Sequence, residues 1–257
     1  LSDVWWFNYA LAGAIEPLDG LFSEVGVDSA DYVDSLLTDY LFQGKHYALP
    51  YARSTPLFYY NKAVWSQAGL PDRGPATWQE FDEWAAKLTE KTGKPALTIP
   101  DGSSYLDWYF QGMIWTFGGA YSRDWTATFT EENSIKAGEY LKKHVAEGHI
   151  KIVQDGANDF GIGNGAALLE STGSLGGLKE AATFDFYTTY LPGPKPGCAT
   201  GGAGLAIPNG ISDERKLTAA KFIDFMTNTD NTITFTQATG YMPVRKAAVD
   251  EPSMKAF

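Results

Sequence analysis

From Tyr47 to Leu70 the chain reads YALPYARSTPLFYYNKAVWSQAGL, and this stretch limits what the chain can fold into more than any other. An extended segment ends in the small polar pair Ser54-Thr55. An apolar strand follows and ends Tyr59-Tyr60-Asn61-Lys62, and a short helix then stops at Ala68-Gly69-Leu70. Strand passing directly into helix selects a mixed α/β fold over an all-β one.

The rest of the chain alternates in the same way. Thr77 followed by Glu80 is a capping box, and Phe81, Trp84, Ala85 and Leu88 repeat at helical spacing until Gly93. Ile135, Tyr140, Leu141 and Val145 mark a second helix ending at Gly148. Ser212 opens a third, with Leu217, Ala220, Phe222, Ile223 and Phe225 as its buried stripe, and Asp230 opens a fourth that stops at Gly240. Short apolar runs at 57–60, 96–99, 166–169 and 204–207 read as strands buried under helices. The segment 191–204, LPGPKPGCATGGAG, reads as a loop.

The 257 residues fit a pair of modest α/β lobes or one large domain. A formal charge of -11 with no Lys/Arg-rich run argues against a nucleic-acid or anionic-membrane partner, both of which need a basic footprint. Aromatic residues make up 14% of the chain, enough to offer flat apolar faces to sugars or polyols, although ring packing in the core explains any single one equally well. A single cysteine, Cys198, excludes an internal disulfide or redox pair. His46, His144 and His149 show no metal-ligand spacing, and the latter two read as solvated residues near a helix end, so neither a metal nor a cofactor is expected.

No run of 18 apolar residues occurs. The first residue, Leu1, is not Met, which suggests processing or truncation. Catalytic signatures such as G-x-S-x-G, G-x-x-x-x-G-K-[ST] and H-E-x-x-H are missing, and Gly161-Ile162-Gly163-Asn164-Gly165 is only a broken glycine pattern. Asp101, Asp107 or Glu170 could be drafted as a glycosidase pair, but nothing pairs them and each reads better as a solvated acid.

Five stretches, in order along the chain, carry a resemblance: 3–18 (DVWWFNYALAGAIEPL), 47–70, 160–178 (FGIGNGAALLESTGSLGGL), 201–208 (GGAGLAIP) and 220–245 (AKFIDFMTNTDNTITFTQATGYMPVR). Together they resemble family 1 extracellular solute-binding proteins of ABC importers, within them the branch that takes glycerol-3-phosphate or glycerophosphodiesters through Ugp-type importers. The resemblance implies a two-lobed, type II periplasmic-binding-protein-like α/β fold that closes on a ligand in the interlobe cleft and presents the closed form to a membrane permease. It places a lobe-one portion at 1–55 with a crossing near 50–56, mainly lobe two at 56–200, and a return to lobe one at 201–257. Family members have further structure before Asp3 and after Phe257, so parts of the N- and C-terminal regions are expected to be lacking here. A monomer outside the cytoplasm, lipid-anchored in its precursor, is implied as well.

Site residues follow from the same matches. Asp3 falls where the family has an acid able to accept hydrogen bonds from two adjacent hydroxyls, against the plain alternative of a loop acid. Ser54 matches the crossing-segment serine, a hydroxyl for a phosphate oxygen, where a turn serine would also serve. Ser174 sits at an expected helix N-terminus that favours an anion, although capping alone would explain it. Gly202 lets backbone approach a ligand closely, and Tyr241 offers a phenol and a ring face. Leu106 takes the slot of a ring in the family, enlarging the pocket, with Trp108 or Tyr109 near enough to meet a quaternary ammonium. Arg245 is kept as a stand-in for the family's phosphate arginine, with a hinge or surface role as the plainer reading, and Arg53 is left as either an anion helper or a surface charge.

Three functions are weighed: an importer binding protein for a glycerol phosphoester, one for a di- or oligosaccharide, and a carbohydrate-active enzyme. Ser, Gly and Tyr at the matched positions favour the first.

Overall fold

The computed structural model describes all 257 residues, Leu1–Phe257, as two compact units. Unit 1 joins Leu1–Ser54 to Gly201–Phe257, and unit 2 is Thr55–Thr200. No helix is long and apolar enough to cross a membrane.

Unit 2 is built on a mixed five-stranded sheet in the order Phe186–Thr189, Pro56–Asn61, Ala167–Ser171, Leu97–Pro100, Ile150–Val153. The first three pair antiparallel, and Leu97–Pro100 runs parallel to both of its neighbours. Parallel strands need a crossover, and the Glu132–Ala146 helix belongs to the connection between Leu97–Pro100 and Ile150–Val153. Every residue of Leu97–Pro100 is buried, as a strand covered on both faces must be. The Trp78–Thr92 helix buries Trp78, Phe81, Trp84, Ala85 and Leu88 in the same core as Phe58, Trp65 and Leu97.

That helix starts as its capping signal requires, with the Thr77 hydroxyl accepting the Glu80 N–H at 3.1 Å. The return half differs from a strict capping box. Glu80 takes the Ala76 N–H at 2.6 Å and a two-pronged grip from Arg73 at 2.6 and 2.8 Å, which holds its carboxyl down at about 2.

Unit 1 has its own core, in which Leu18, Phe22, Tyr32, Leu49, Ile207, Ile223 and Val244 pack between the Asp19–Val25 and Asp213–Thr227 helices and a two-stranded sheet. The sheet pairs Leu49–Ser54 with Gly201–Leu205, antiparallel. Strand therefore begins within the segment read as loop. Glycine is what misleads there and what makes the pairing close: Gly202 has φ +111, and a Cβ on it would overlap the Ala52 carbonyl oxygen.

Two helix faces are also corrected. On Asp213–Thr227 the buried residues are Ala220, Ile223 and Thr227, while Phe222 and Phe225, on the other side of the helix, are exposed. On Glu132–Ala146 the buried residues are Ser134, Ala137 and His144, and Ile135 and Val145 are exposed. Small residues face the core where backbones approach: the Ser134 hydroxyl donates to the Ala120 carbonyl at 3.0 Å, and a Cβ on the adjacent Gly119 would come within 2.6 Å of that same hydroxyl.

Candidate functional site

In unit 1 the strand pairing gathers residues that lie far apart in sequence. Register places Gly201 opposite Ser54 and Gly202 opposite Arg53. The Asp3 N–H donates to the Gly202 carbonyl at 3.0 Å, and the Met242 N–H donates to the Arg53 carbonyl at 2.7 Å, which brings Tyr241 alongside. Asp3, Ser54, Gly202 and Tyr241 are thus held by one backbone framework.

Arg53 is at its centre and is fully buried. Its Nη1 donates to the Tyr40 hydroxyl at 2.7 Å and lies 3.5 Å from Asp3 Oδ2, and its Nη2 meets Asp39 Oδ2 at 2.5 Å. Nε is buried without an acceptor. Two carboxylates around one guanidinium leave the group with an acidic balance, suited to hydroxyl donors or a cation. Burial pushes the Asp3 carboxyl above its usual range, and the Arg53 charge opposes that shift.

Tyr241 ends a ladder of rings. It stacks on Phe235 at 5.5 Å with planes 5° apart, and Phe235 stacks on Tyr51 at 4.6 Å. Gly240, left-handed at the end of the Thr229–Thr239 helix, turns the chain into that position.

Arg245 does not join this group. The guanidinium lies 3.9 Å from the Tyr32 ring centre, and Nε donates to the Thr227 carbonyl at 2.6 Å. Nη1 donates to the Asp28 carbonyl at 2.9 Å, and Nη2 reaches Asp224 at 3.4 Å. With every nitrogen engaged and only 5% exposure, Arg245 is a clamp inside unit 1, neither a surface arginine nor a donor free for phosphate.

Unit 2 has a second polar cluster, around Glu170. Expected as a solvated acid, Glu170 is instead buried. It accepts hydrogen bonds from the Tyr109 hydroxyl, from the Ser171 N–H at 2.7 Å and from the Ser174 hydroxyl. Burial raises its carboxyl above the usual range, and the three donors hold it back. Ser174 directly precedes the short Leu175–Ala181 helix but makes no side-chain cap to it, so the serine serves Glu170 and not the helix end.

Trp108 packs edge-on against Tyr109, with ring centres 5.0 Å apart, and its indole N–H is buried without an acceptor. Tyr109 thereby joins Trp108 to Glu170 and Ser174. Leu106 lies on another face of the same helix: with Phe110 one turn on, it lines a groove of about 1020 Å³ together with Leu141, Val145 and Ile152.

The histidines are committed elsewhere. His46 Nδ1 lies 2.8 Å from Asp19, and His144 and His149 face each other, His144 being buried where a solvated residue was expected. No histidine is hydrogen-bonded to Ser54 or Ser174 as a base would be to a nucleophile.

Comparison with known proteins identifies the family and the fold. A family model described as a bacterial extracellular solute-binding protein matches residues 1–256. The chain is 29% identical over 266 residues to the sn-glycerol-3-phosphate-binding periplasmic protein UgpB of Escherichia coli K12, covering 95% of this chain and 60% of the relative. It therefore spans about three fifths of the length of such curated relatives. Among solved structures it is similar to UgpB from Mycobacterium tuberculosis in complex with glycerophosphocholine, at 54% identity and TM-score 0.94, over 97% of this chain and 67% of that one. The GacH receptor of Streptomyces glaucescens, solved unliganded and with acarbose, shares the fold at TM-score 0.88 and 22% identity, over all of this chain and 67% of that one.

Proposed function

The chain belongs to the family of bacterial extracellular solute-binding proteins, and on that premise we propose that it is the substrate-binding component of an ABC importer, taking up a glycerol phosphoester. Its carrying support is the 54% identity over 97% of the chain to a protein solved with glycerophosphocholine. The side chains fit that ligand class. Asp3, held by Arg53, accepts hydrogen bonds from the glycerol hydroxyls. The Ser54 and Tyr241 hydroxyls donate to phosphate oxygens, whereas the Ser174 proton is already given to Glu170, which leaves that serine an acceptor for a ligand hydroxyl. Trp108 supplies apolar area and its ring suits a quaternary ammonium, while Leu106, turned to the groove on another face of the helix, is not paired with it there.

The acidic balance around Arg53 favours a diester carrying a cationic head over glycerol-3-phosphate, whose phosphate bears more negative charge. In this reading the protein works outside the cytoplasm as a monomer, anchored by lipid in its precursor, and hands the ligand to the membrane permease. It does not turn the ligand over.

A thermal-shift screen tests this, since a ligand that binds only the folded form raises the midpoint. Glycerophosphocholine should raise it most, glycerol-3-phosphate less, and maltose not at all. A shift with maltose alone would replace the reading by a sugar binder, and cleavage products of glycerophosphocholine in mass spectra would replace it by an enzyme.

A further inference from the structure

His144, Glu147 and His149 lie within six residues at the point where the Glu132–Ala146 helix hands over to the Ile150–Val153 strand. The turn between them is fully bonded. The Glu147 N–H donates to the Lys143 carbonyl at 2.9 Å, the Gly148 N–H to the Val145 carbonyl at 3.2 Å and the His149 N–H to the His144 carbonyl at 2.9 Å. Gly148, at φ +75, makes the left-handed step that folds His149 back toward the helix. The His149 carbonyl in turn accepts the Leu97 N–H at 3.1 Å, which ties the residue to the sheet.

As a result the two imidazoles meet nitrogen to nitrogen, Nδ1 to Nδ1, at 3.2 Å. Glu147 Oε2 lies 3.3 Å from the same His149 nitrogen. One ligand atom from each of the three residues falls within 4.8 Å of the others. Two ligands of a tetrahedral Zn2+, each about 2.0–2.1 Å from the ion, stand roughly 3.3 Å apart. The His144–His149 and His149–Glu147 separations match that spacing, and the third pair lies within 4.8 Å. A proton shared between the two imidazoles accounts for the 3.2 Å contact but leaves Glu147 facing the same His149 nitrogen.

The surroundings support a cation as well. His144 Nε2, on the far side of the ring, lies 2.8 Å from Asp82 Oδ1 without a well-aligned N–H bond. Asp82 is itself fixed by the Tyr140 hydroxyl at 2.5 Å, and the same hydroxyl reaches the Trp78 carbonyl at 3.0 Å. A carboxylate behind a ligating histidine orients the ring and raises its basicity. One carboxylate and two imidazoles make a donor set for a borderline-soft divalent ion.

We propose that His144 Nδ1, His149 Nδ1 and the Glu147 carboxylate form a Zn2+ site, with a fourth position open to water, that pins the helix end to the sheet of unit 2. The site is independent of the ligand reading above.

The test uses the whole chain freed of any purification tag and stripped with chelator, titrated calorimetrically with ZnCl2. One equivalent should bind, and Co2+ in its place should show the intense visible bands of four-coordinate cobalt. His149→Ala, and Glu147→Gln at an exposed position that leaves the fold intact, should each weaken Zn2+ at least tenfold. Each should also abolish the rise in unfolding midpoint that Zn2+ gives the parent chain. No binding, or binding that both variants leave unchanged, would overturn the site.

Discussion

Arg53 Nη1 stands 3.5 Å from Asp3 Oδ2, and the same guanidinium meets Asp39 at 2.5 Å. The backbone carries the pairing, because Gly202 is in register with Arg53 and its carbonyl receives the Asp3 N–H. Arg53 is buried while Asp3 and Asp39 keep partial access to water, so removing the guanidinium leaves two close carboxylates that solvent compensates only in part. Arg53→Met should therefore cost about 2 kcal/mol of unfolding free energy in urea titrations, between the values for exposed and for buried pairs. Arg53→Lys, which keeps the charge and loses the fork, should recover part of it. Equal stability of Arg53→Met and the parent would show that the group is not coupled.

Gly202 tests the framework from the opposite strand. A side chain there would have to adopt φ +111 and clear the Ala52 carbonyl. Gly202→Ala should cost about 2 kcal/mol or more, through strain plus displaced strand pairing. Chemical denaturation checks this, and a loss under half of that would mean the strands separate easily.

These two positions also show what can be read from the chain alone. The 47–70 segment gave away its strand and helix because apolar runs, Asn61 and the Ala-Gly-Leu stop are local signals. Thr77 did the same for the Trp78–Thr92 helix. The start of the Gly201–Leu205 strand, residues 201–203, was hidden because a glycine-rich strand has the composition of a loop and declares itself only through its partner, whereas its end at 204–205 reads as strand. Phe222 and Phe225 looked like core, since periodicity reports a stripe but not which stripe is covered.

In the candidate site, Asp3, Ser54, Gly202 and Tyr241 were found by resemblance, and no local pattern would have joined them. Arg53 and Arg245 could not be told apart before their partners were known. Arg53 meets Asp3 and Asp39 beside matched residues, and Arg245 is spent on the Thr227 and Asp28 carbonyls and on Asp31 and Asp224. Burial decides charge roles, and burial of Glu170 or His144 is a long-range property that spacing does not encode.

Tyr241 separates binding from packing. The ring stacks on Phe235 while its hydroxyl is the proposed phosphate donor. Tyr241→Phe should keep the unfolding midpoint within a degree or two and lower glycerophosphocholine affinity several-fold, whereas Tyr241→Ala should lower affinity at least tenfold, about 1.4 kcal/mol or more. Calorimetry on both variants checks it. Unchanged affinity in Tyr241→Ala would remove the residue from the site.

Glu80 sets a pH dependence of stability. Its carboxyl is lowered to about 2 by Arg73, against an ordinary value of 4.5. A lowered carboxyl contributes stability above its unfolded value, and that contribution is lost as pH falls through its folded value. Glu80→Gln should thus cost roughly 1 kcal/mol at pH 7. The gap between variant and parent should close between pH 4.5 and pH 2. Denaturation curves across that range check it, and a gap that persists at pH 2 would assign the effect to something other than the Glu80 charge.

The most direct measurement is isothermal titration of the purified chain with glycerophosphocholine, glycerol-3-phosphate and maltose side by side. Saturable binding of glycerophosphocholine at one equivalent, at least tenfold tighter than glycerol-3-phosphate and with no heat from maltose, is the predicted result. Comparable affinity for glycerol-3-phosphate with none for glycerophosphocholine, or binding of maltose alone, would contradict it.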